Sequence, residues 1–233
     1  MCGIAGIISR NGEREIGSEM TRMLQSMKHR GPDSTGYALY RPDTDGYVMH
    51  VKLSESNGHQ DFEFAERLRR QRGQIEARMK ALGVRIGSVD KSADHAMTVT
   101  FDHDGDLKQL ADYVEDIRGA EVLSLGRSLE IVKDLGDAET VAGEYGLDGF
   151  VGTHAIGHAR MATESDVDIA NAHPYWAYPF PDVAVVHNGQ LTNYHQWRRR
   201  LERAGHRFQS DCDSEIIAVY LAERMANGDS LGE

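Results

Sequence analysis

A cysteine placed directly behind the initiator methionine is the residue with the most chemistry to offer in this chain. Aminopeptidase removal of Met1 leaves Cys2 with a free α-amino group. An α-amine titrates near about 7.7–8.0 and a thiol near about 8.5, so both sit close to neutral pH. The amine can then take the proton of its own residue's sulfur, directly or through one water, and so activate a nucleophile. Alone, Cys2 reads as a small residue at a frayed terminus. Three other places supply what a thiol-based acyl transfer needs. Asn188 and Gly189 end the run HNG (187–189), and a side-chain amide beside a backbone N–H suits a tetrahedral oxyanion. Asn-Gly is also an ordinary turn. Arg160, in GHARMAT (157–163), can make a forked pair with a carboxylate, or be a surface arginine. Asp213, at the start of a helical pattern, can receive an ammonium group or cap the helix, and the two roles are compatible.

The elements that must position these residues are legible in outline. Cys2 to Ile8 reads as a buried, glycine-interleaved strand. Ser18 is the expected N-cap of a helix carrying Met20, Met23, Leu24 and Met27 on one face. That helix must stop before HRGPDSTG (29–36), where Pro32 and two glycines forbid continuation. Gly36–Tyr40 and Tyr47–Val51 predict a hairpin around Pro42, Asp43, Asp45 and Gly46. Residues 52–146 change character. The spacing predicts a charged helix over 62–82, a strand over 96–101, an amphipathic helix over 107–117, and strands over 121–125 and 129–132. This stretch is expected to be an inserted α+β module that packs on itself. Strand texture returns with HAIGHARMAT (154–163) and Val183–Val186. Thr192 or Asn193 is expected to cap a helix with Tyr194, Trp197 and Leu201 on one face. A last helix is expected near Asp213, with Ile216, Ile217, Tyr220 and Leu221 apolar.

Composition narrows the classes. The 233 residues carry 26 Lys+Arg against 37 Asp+Glu, a net charge of −11. That balance disfavours binding driven by a nucleic-acid backbone. There is no apolar run of about 18 residues, the minimum for a membrane-spanning helix. The N-terminus lacks the basic region and cleavage site of a secretory signal. Two cysteines, Cys2 and Cys212, fit a reduced protein, so the expected location is the cytoplasm. Eleven histidines show no HExxH or paired Cys/His spacing, so no metal site and no cofactor is expected. FDHDGD (101–106) lacks the downstream glutamate of a calcium loop and reads as a turn. Arg198, Arg199, Arg200, Arg203 and Arg207 read as a solvated helix face.

Taken together, MCGIAGI, HRGPDSTGY, IGHARMAT, NAHPY, VVHNGQLTNY and DSEII occur in the order seen in class II glutamine amidotransferase domains. The chain resembles that family over residues 1–51 and 147–230. The resemblance implies an α+β, four-layer αββα sandwich of the N-terminal-nucleophile hydrolase type. It implies a glutamine amidotransferase domain from 1–51 and 147–233, interrupted by the module at 52–146. Cys2 would attack the side-chain amide of L-glutamine, giving a γ-glutamyl thioester and ammonia. Asn188 and the Gly189 amide would form the oxyanion hole. Arg160 would hold the substrate α-carboxylate and Asp213 its α-ammonium, while Thr163 and His173 line the pocket and Arg30 lies beside the nucleophile. The insertion is similar to that of stand-alone subunits of glutamate synthase-like systems, including N-methylglutamate synthase. That likeness implies a separate synthase subunit that accepts the ammonia, hence a hetero-oligomer. The chain departs from the family in the loop after Arg160 and in stopping before further strands that family domains carry after the Asp213 helix. Two other readings stand beside this one: an amide hydrolase of the same fold with another substrate, and a non-catalytic assembly or regulatory subunit.

Overall fold

Alternation of small and apolar residues builds the sheet that carries Cys2. In the computed structural model, which describes residues 2–53, 62–162 and 168–232, strands β1 (Gly3–Ile8), β2 (Ser34–Tyr40), β7 (Leu129–Leu135) and β8 (His154–Arg160) form an antiparallel sheet in the order β1-β8-β2-β7. Successive side chains point to opposite faces. One face presents Ala5, Tyr37, Leu39, Val132 and Ala155 to helices α1 (Ile16–Ser26) and α4 (Ala138–Tyr145), which bury Ile16, Met20, Leu24, Val141 and Ala142 against it.

A second antiparallel sheet runs β4 (Arg85–Ala93), β5 (Ala96–Asp102), β3 (Tyr47–Lys52), β6 (Glu121–Gly126). Met49, Val51, Met97, Val99 and Phe101 project toward α2 (Phe62–Ala81) and α3 (Leu107–Glu115), where Ile75, Met79, Leu110 and Val114 meet them. Fully burying an aliphatic side chain is worth about 1.5–3 kcal/mol. A smaller cluster of Ala38, Tyr40, Leu129 and Ile131 with Leu123 joins the two sheets. The chain is therefore α+β with antiparallel sheets. Among the described residues no helix is long and apolar enough to cross a membrane.

The structure corrects three expectations. The segments around Pro42 do not form a hairpin. β2 pairs with β7 and β8, whereas β3 pairs with β5 and β6. Turn residues mark a reversal but cannot say which neighbour a strand will choose. For the same reason 52–146 does not simply pack on itself: it takes β3 from the preceding segment and gives β7 and α4 to the first sheet. Third, Ser18 lies inside α1 rather than capping it; its hydroxyl contacts the Glu15 carbonyl at 3.5 Å, and Glu15 holds the cap position without a side-chain bond.

Other expectations match. α3 carries its apolar stripe, capped by Asp106 through the N–H of Lys108 at 2.8 Å, so the end of FDHDGD is a helix cap. β10 (Ala184–Val185) is shorter than expected and pairs with β9 (Tyr175–Trp176). Asn193 occupies the cap position of α5 (Tyr194–Arg203) without a side-chain bond. α6 (Glu215–Ala226) follows Asp213, burying Ile216, Ala218 and Ala222. Part of the arginine stripe is bonded: Arg198 to Glu202 and the Ser210 carbonyl, Arg207 to Glu115.

Candidate active site

Cys2 is held by the edge of the first sheet rather than left to fray. β1 pairs with β8 with Gly3 opposite Ala159, so the ladder sets Cys2 beside the end of β8. There its Sγ lies 3.4 Å from the N–H of Met161 and 3.6 Å from the Met161 carbonyl. The Asn188 side-chain amide donates to the Cys2 carbonyl at 3.0 Å. An amide nitrogen carries two hydrogens, so this bond uses only one of them. Cys2 is half-buried while Asn188 and Gly189 are exposed, which leaves this corner open to solvent.

The face of the sheet turned away from α1 is unlike its apolar reverse. Arg160 pairs across to Ser34, and His158 to Gly36, which pairs on to Lys133. Arg160 and Lys133, with 4% exposure, and His158, with 1%, are all buried on this face, as is Ser34. The chain around 171–175 crosses directly over it. A Cβ at Gly36 would stand 1.9 Å from the His173 carbonyl oxygen, so only glycine permits the crossing. The His158 Nε2–H donates to the His187 carbonyl at 3.1 Å, and the His158 ring stacks on His173 at 4.1 Å. Lys133 donates to the Ala172 carbonyl at 3.2 Å, fixing the crossing segment from below.

Burial sets the protonation of this face. It lowers His158 to about 4 and His173 well below the ordinary histidine range, helped by the positive charge of Arg160 nearby. Lys133 is lowered by burial too. Among the described residues, Arg30 Nε, Ser34 Oγ, His158 Nδ1 and both ring nitrogens of His173 are buried without a hydrogen-bond partner. Such atoms cost about 1–3 kcal/mol each. A cationic, under-satisfied face beside an open thiol suits a ligand that brings an anion and acceptors.

The other wall is a network around α6. Asp213 Oδ2 accepts from the N–H of Leu191 at 2.6 Å, and Asp213 Oδ1 accepts from Ser214 Oγ at 3.2 Å. Ser214 Oγ also meets His187 Nδ1 at 2.9 Å. The buried Glu215 carboxylate accepts from the N–H of Gln209 and Ser210 at 2.8 Å each, and from Ser210 Oγ at 2.6 Å. Burial pushes its pKa up. These bonds hold the loop that delivers Asp213.

The structure thus gathers Cys2 and the Asn188–Gly189 turn, sets Arg160 and His173 on the adjoining face, and ties Asp213 to the turn through Leu191. Arg30 ends a single 3-10 turn whose next residue, Gly31, packs on the backbone of Ala159. Thr163 lies outside the described residues. Sequence reasoning missed His158, Lys133, His187, Ser214 and Asp33, whose carboxylate accepts from the N–H of Ala162 at 2.7 Å. Asp33, His187 and Ser214 stand inside motifs that were visible; Lys133 had no local signal. A second group, His95, Asp134 and Glu144, has ligand-type atoms within 4.8 Å of one another. His95 Nε2 is already bonded to Asp134 at 2.9 Å and to Tyr145 at 3.0 Å.

Two family models, both described as a glutamine amidotransferase domain, match residues 1–65 and 158–231. A protein of Methanothermobacter thermautotrophicus, provisionally named a glutamine amidotransferase, is 37% identical over the whole chain and 75% of its own length. The glutamine amidotransferase-like protein GlxB of Rhizobium meliloti is 33% identical over the whole chain and 73% of its own length. The glutamine–fructose-6-phosphate aminotransferase of Xylella fastidiosa is 38% identical over 54% of this chain and 20% of its own length.

Proposed function

This chain belongs to the class II glutamine amidotransferases, enzymes that act on the amide of glutamine, and from that premise we propose how its residues divide the work. Once Met1 is removed, the Cys2 α-amine takes the thiol proton and sulfur attacks the δ-carbon of L-glutamine. The oxyanion is received by the Asn188 side-chain amide and the Gly189 N–H. As the tetrahedral adduct collapses, the protonated amine returns its proton to the leaving nitrogen, which departs as ammonia. Water, activated by the same amine, hydrolyses the γ-glutamyl thioester to glutamate. Arg160 holds the α-carboxylate and Asp213 the α-ammonium. This pair selects a zwitterionic amino acid over a bare primary amide. His173 and Arg30 line the pocket.

The observation that carries this reading is the Asn188 amide on the carbonyl of Cys2 itself. It brings a nucleophile at one end of the chain and an oxyanion donor 186 positions away to one point. The buried cationic face beneath Arg160 supports a carboxylate-bearing substrate. The packing of α1 and α4 on one sheet and of α2 and α3 on the other supports an αββα order of N-terminal-nucleophile type. We assign the ammonia to a separate synthase subunit, glutamate synthase-like, in a hetero-oligomer. That assignment rests on the likeness of residues 52–146 to the insertion of stand-alone glutamate synthase-like subunits.

The test is ammonia release from L-glutamine by the purified chain, with intact mass measured to follow Met1. Cys2→Ala is expected to abolish release while thermal unfolding stays in place. Full turnover by that variant would discard the mechanism.

A further inference from the structure

Asp213 does more in this structure than wait for an ammonium group. Its two oxygens anchor both ends of the turn that carries the oxyanion donors. At the far end, Oδ2 takes the N–H of Leu191 at 2.6 Å. At the near end, the link runs through Ser214 to His187, with Ser214 Oγ 3.2 Å from Asp213 Oδ1 and 2.9 Å from His187 Nδ1.

Proton counting orders this link. A carboxylate only accepts, so the single Ser214 hydroxyl proton goes to Asp213. His187 Nδ1 must then carry a proton and donate to Ser214 Oγ. That fixes the imidazole ring, whose carbonyl is held separately by His158 at 3.1 Å. The fixed ring lies beneath the oxyanion donor: a Cβ on Gly189 would stand 2.8 Å from His187 Nε2. The Gly189 backbone therefore rests against His187, and Ser214, 2% exposed, is the buried post that holds both.

We infer that Ser214 and His187 are positioning residues that couple the ammonium site at Asp213 to the oxyanion donors at Asn188 and Gly189. Binding of the substrate α-ammonium on Asp213 and stabilisation of the oxyanion are thereby linked in one hydrogen-bonded chain. This inference rests on the glutaminase reading above and adds a device to it.

The experiment compares Ser214→Ala, Ser214→Thr and His187→Asn with the unmodified protein. Steady-state glutamine hydrolysis is measured beside the rate at which iodoacetamide alkylates Cys2, a reaction that needs neither the ammonium site nor the oxyanion donors. Ser214→Ala is expected to raise KM and lower kcat together, cutting kcat/KM about tenfold or more, as loss of a hydrogen bond to a charged group does. Alkylation should stay at the unmodified rate. Ser214→Thr keeps the hydroxyl and should restore most of the loss. His187→Asn keeps a donor near the place of Nδ1 and should fall between the two. Unchanged kcat and KM in Ser214→Ala would overturn the inference. So would a loss matched by equally slowed alkylation, or a loss that threonine fails to rescue. An unmodified chain that releases no ammonia from glutamine would overturn the glutaminase reading itself, and this inference with it.

Discussion

Lys133 and Asp134 are neighbours on β7, yet each serves a different buried cluster, because adjacent residues of a strand face opposite sides of its sheet. Asp134 meets His95 and Tyr145, and every contact there is reciprocal: His95 to Asp134 at 2.9 Å, Tyr145 to Asp134 at 3.1 Å, Tyr145 to His95 at 3.0 Å. Lys133 lies on the face with Arg160, His158 and His173, where the histidine nitrogens include three with no partner among the described residues. Both clusters contain histidine, and both join segments far apart in the chain. The difference lies in their saturation. A polar cluster that satisfies itself pins the hairpin between β4 and β5 to β7 and α4, which is a structural task. A cluster left cationic and unsatisfied beside an open thiol is shaped for something that arrives later.

Several substitutions would break or sharpen that contrast. The largest effect on stability is expected from Asp134→Ala, which takes the carboxylate acceptor from a buried histidine and a tyrosine hydroxyl at once, costing about 3 kcal/mol. Denaturant unfolding would measure it, with KM for glutamine unchanged in the folded protein. An unchanged midpoint would erase the distinction between the clusters. Acid comes next. His158 titrates near about 4 in the folded chain and near about 6.5 when unfolded. Between those values the unfolded state binds the extra proton, so stability falls as pH drops from 6.5 toward 4, by about 3 kcal/mol in all. His173 shifts in the same direction. Unfolding free energies at pH 7 and 4.5 would show the slope, and His158→Gln should flatten it.

A smaller effect, about 1.4 kcal/mol, is expected from Arg160→Lys. Lysine cannot make a forked contact, so KM for glutamine should rise about tenfold with kcat less affected. An unchanged KM would place the carboxylate elsewhere. The smallest belongs to His173→Phe. Its ring nitrogens hold no bond among the described residues, and phenylalanine keeps the stack on His158. Stability should move by less than about 1 kcal/mol, while KM for glutamine rises. A large loss of stability would show that His173 is structural after all.

The site was legible in the chain wherever its chemistry is written in short local runs. Cys2 at position 2, HNG and DSEII each carry their residues in a fixed order, and the structure brings Cys2 and Asn188 into contact. Local signals also located α3 with its apolar stripe and the charged α2. They failed where a residue's role depends on a distant neighbour. The reversal at Pro42 was visible, but not that β2 and β3 part into different sheets. Ser18 has the right type for a cap but sits a turn too late, because α1 begins at Ile16, which is buried in the core of the first sheet. Lys133 looks like any strand lysine until Gly36 and the segment around His173 close over it. Asp182, with φ of 61°, accepts from the N–H groups of Ser128 and Leu129, contacts 54 and 53 positions away that no local pattern announces.

The sequence by itself determined the candidate reacting groups, their order and the elements that carry them, because side-chain type and short-range periodicity are local properties. Only the tertiary structure decided which strands pair, which face of β7 turns toward the thiol, and which buried nitrogens lack partners. Those are settled by burial and by the demand that distant polar groups meet one another, and neither has a short-range signature.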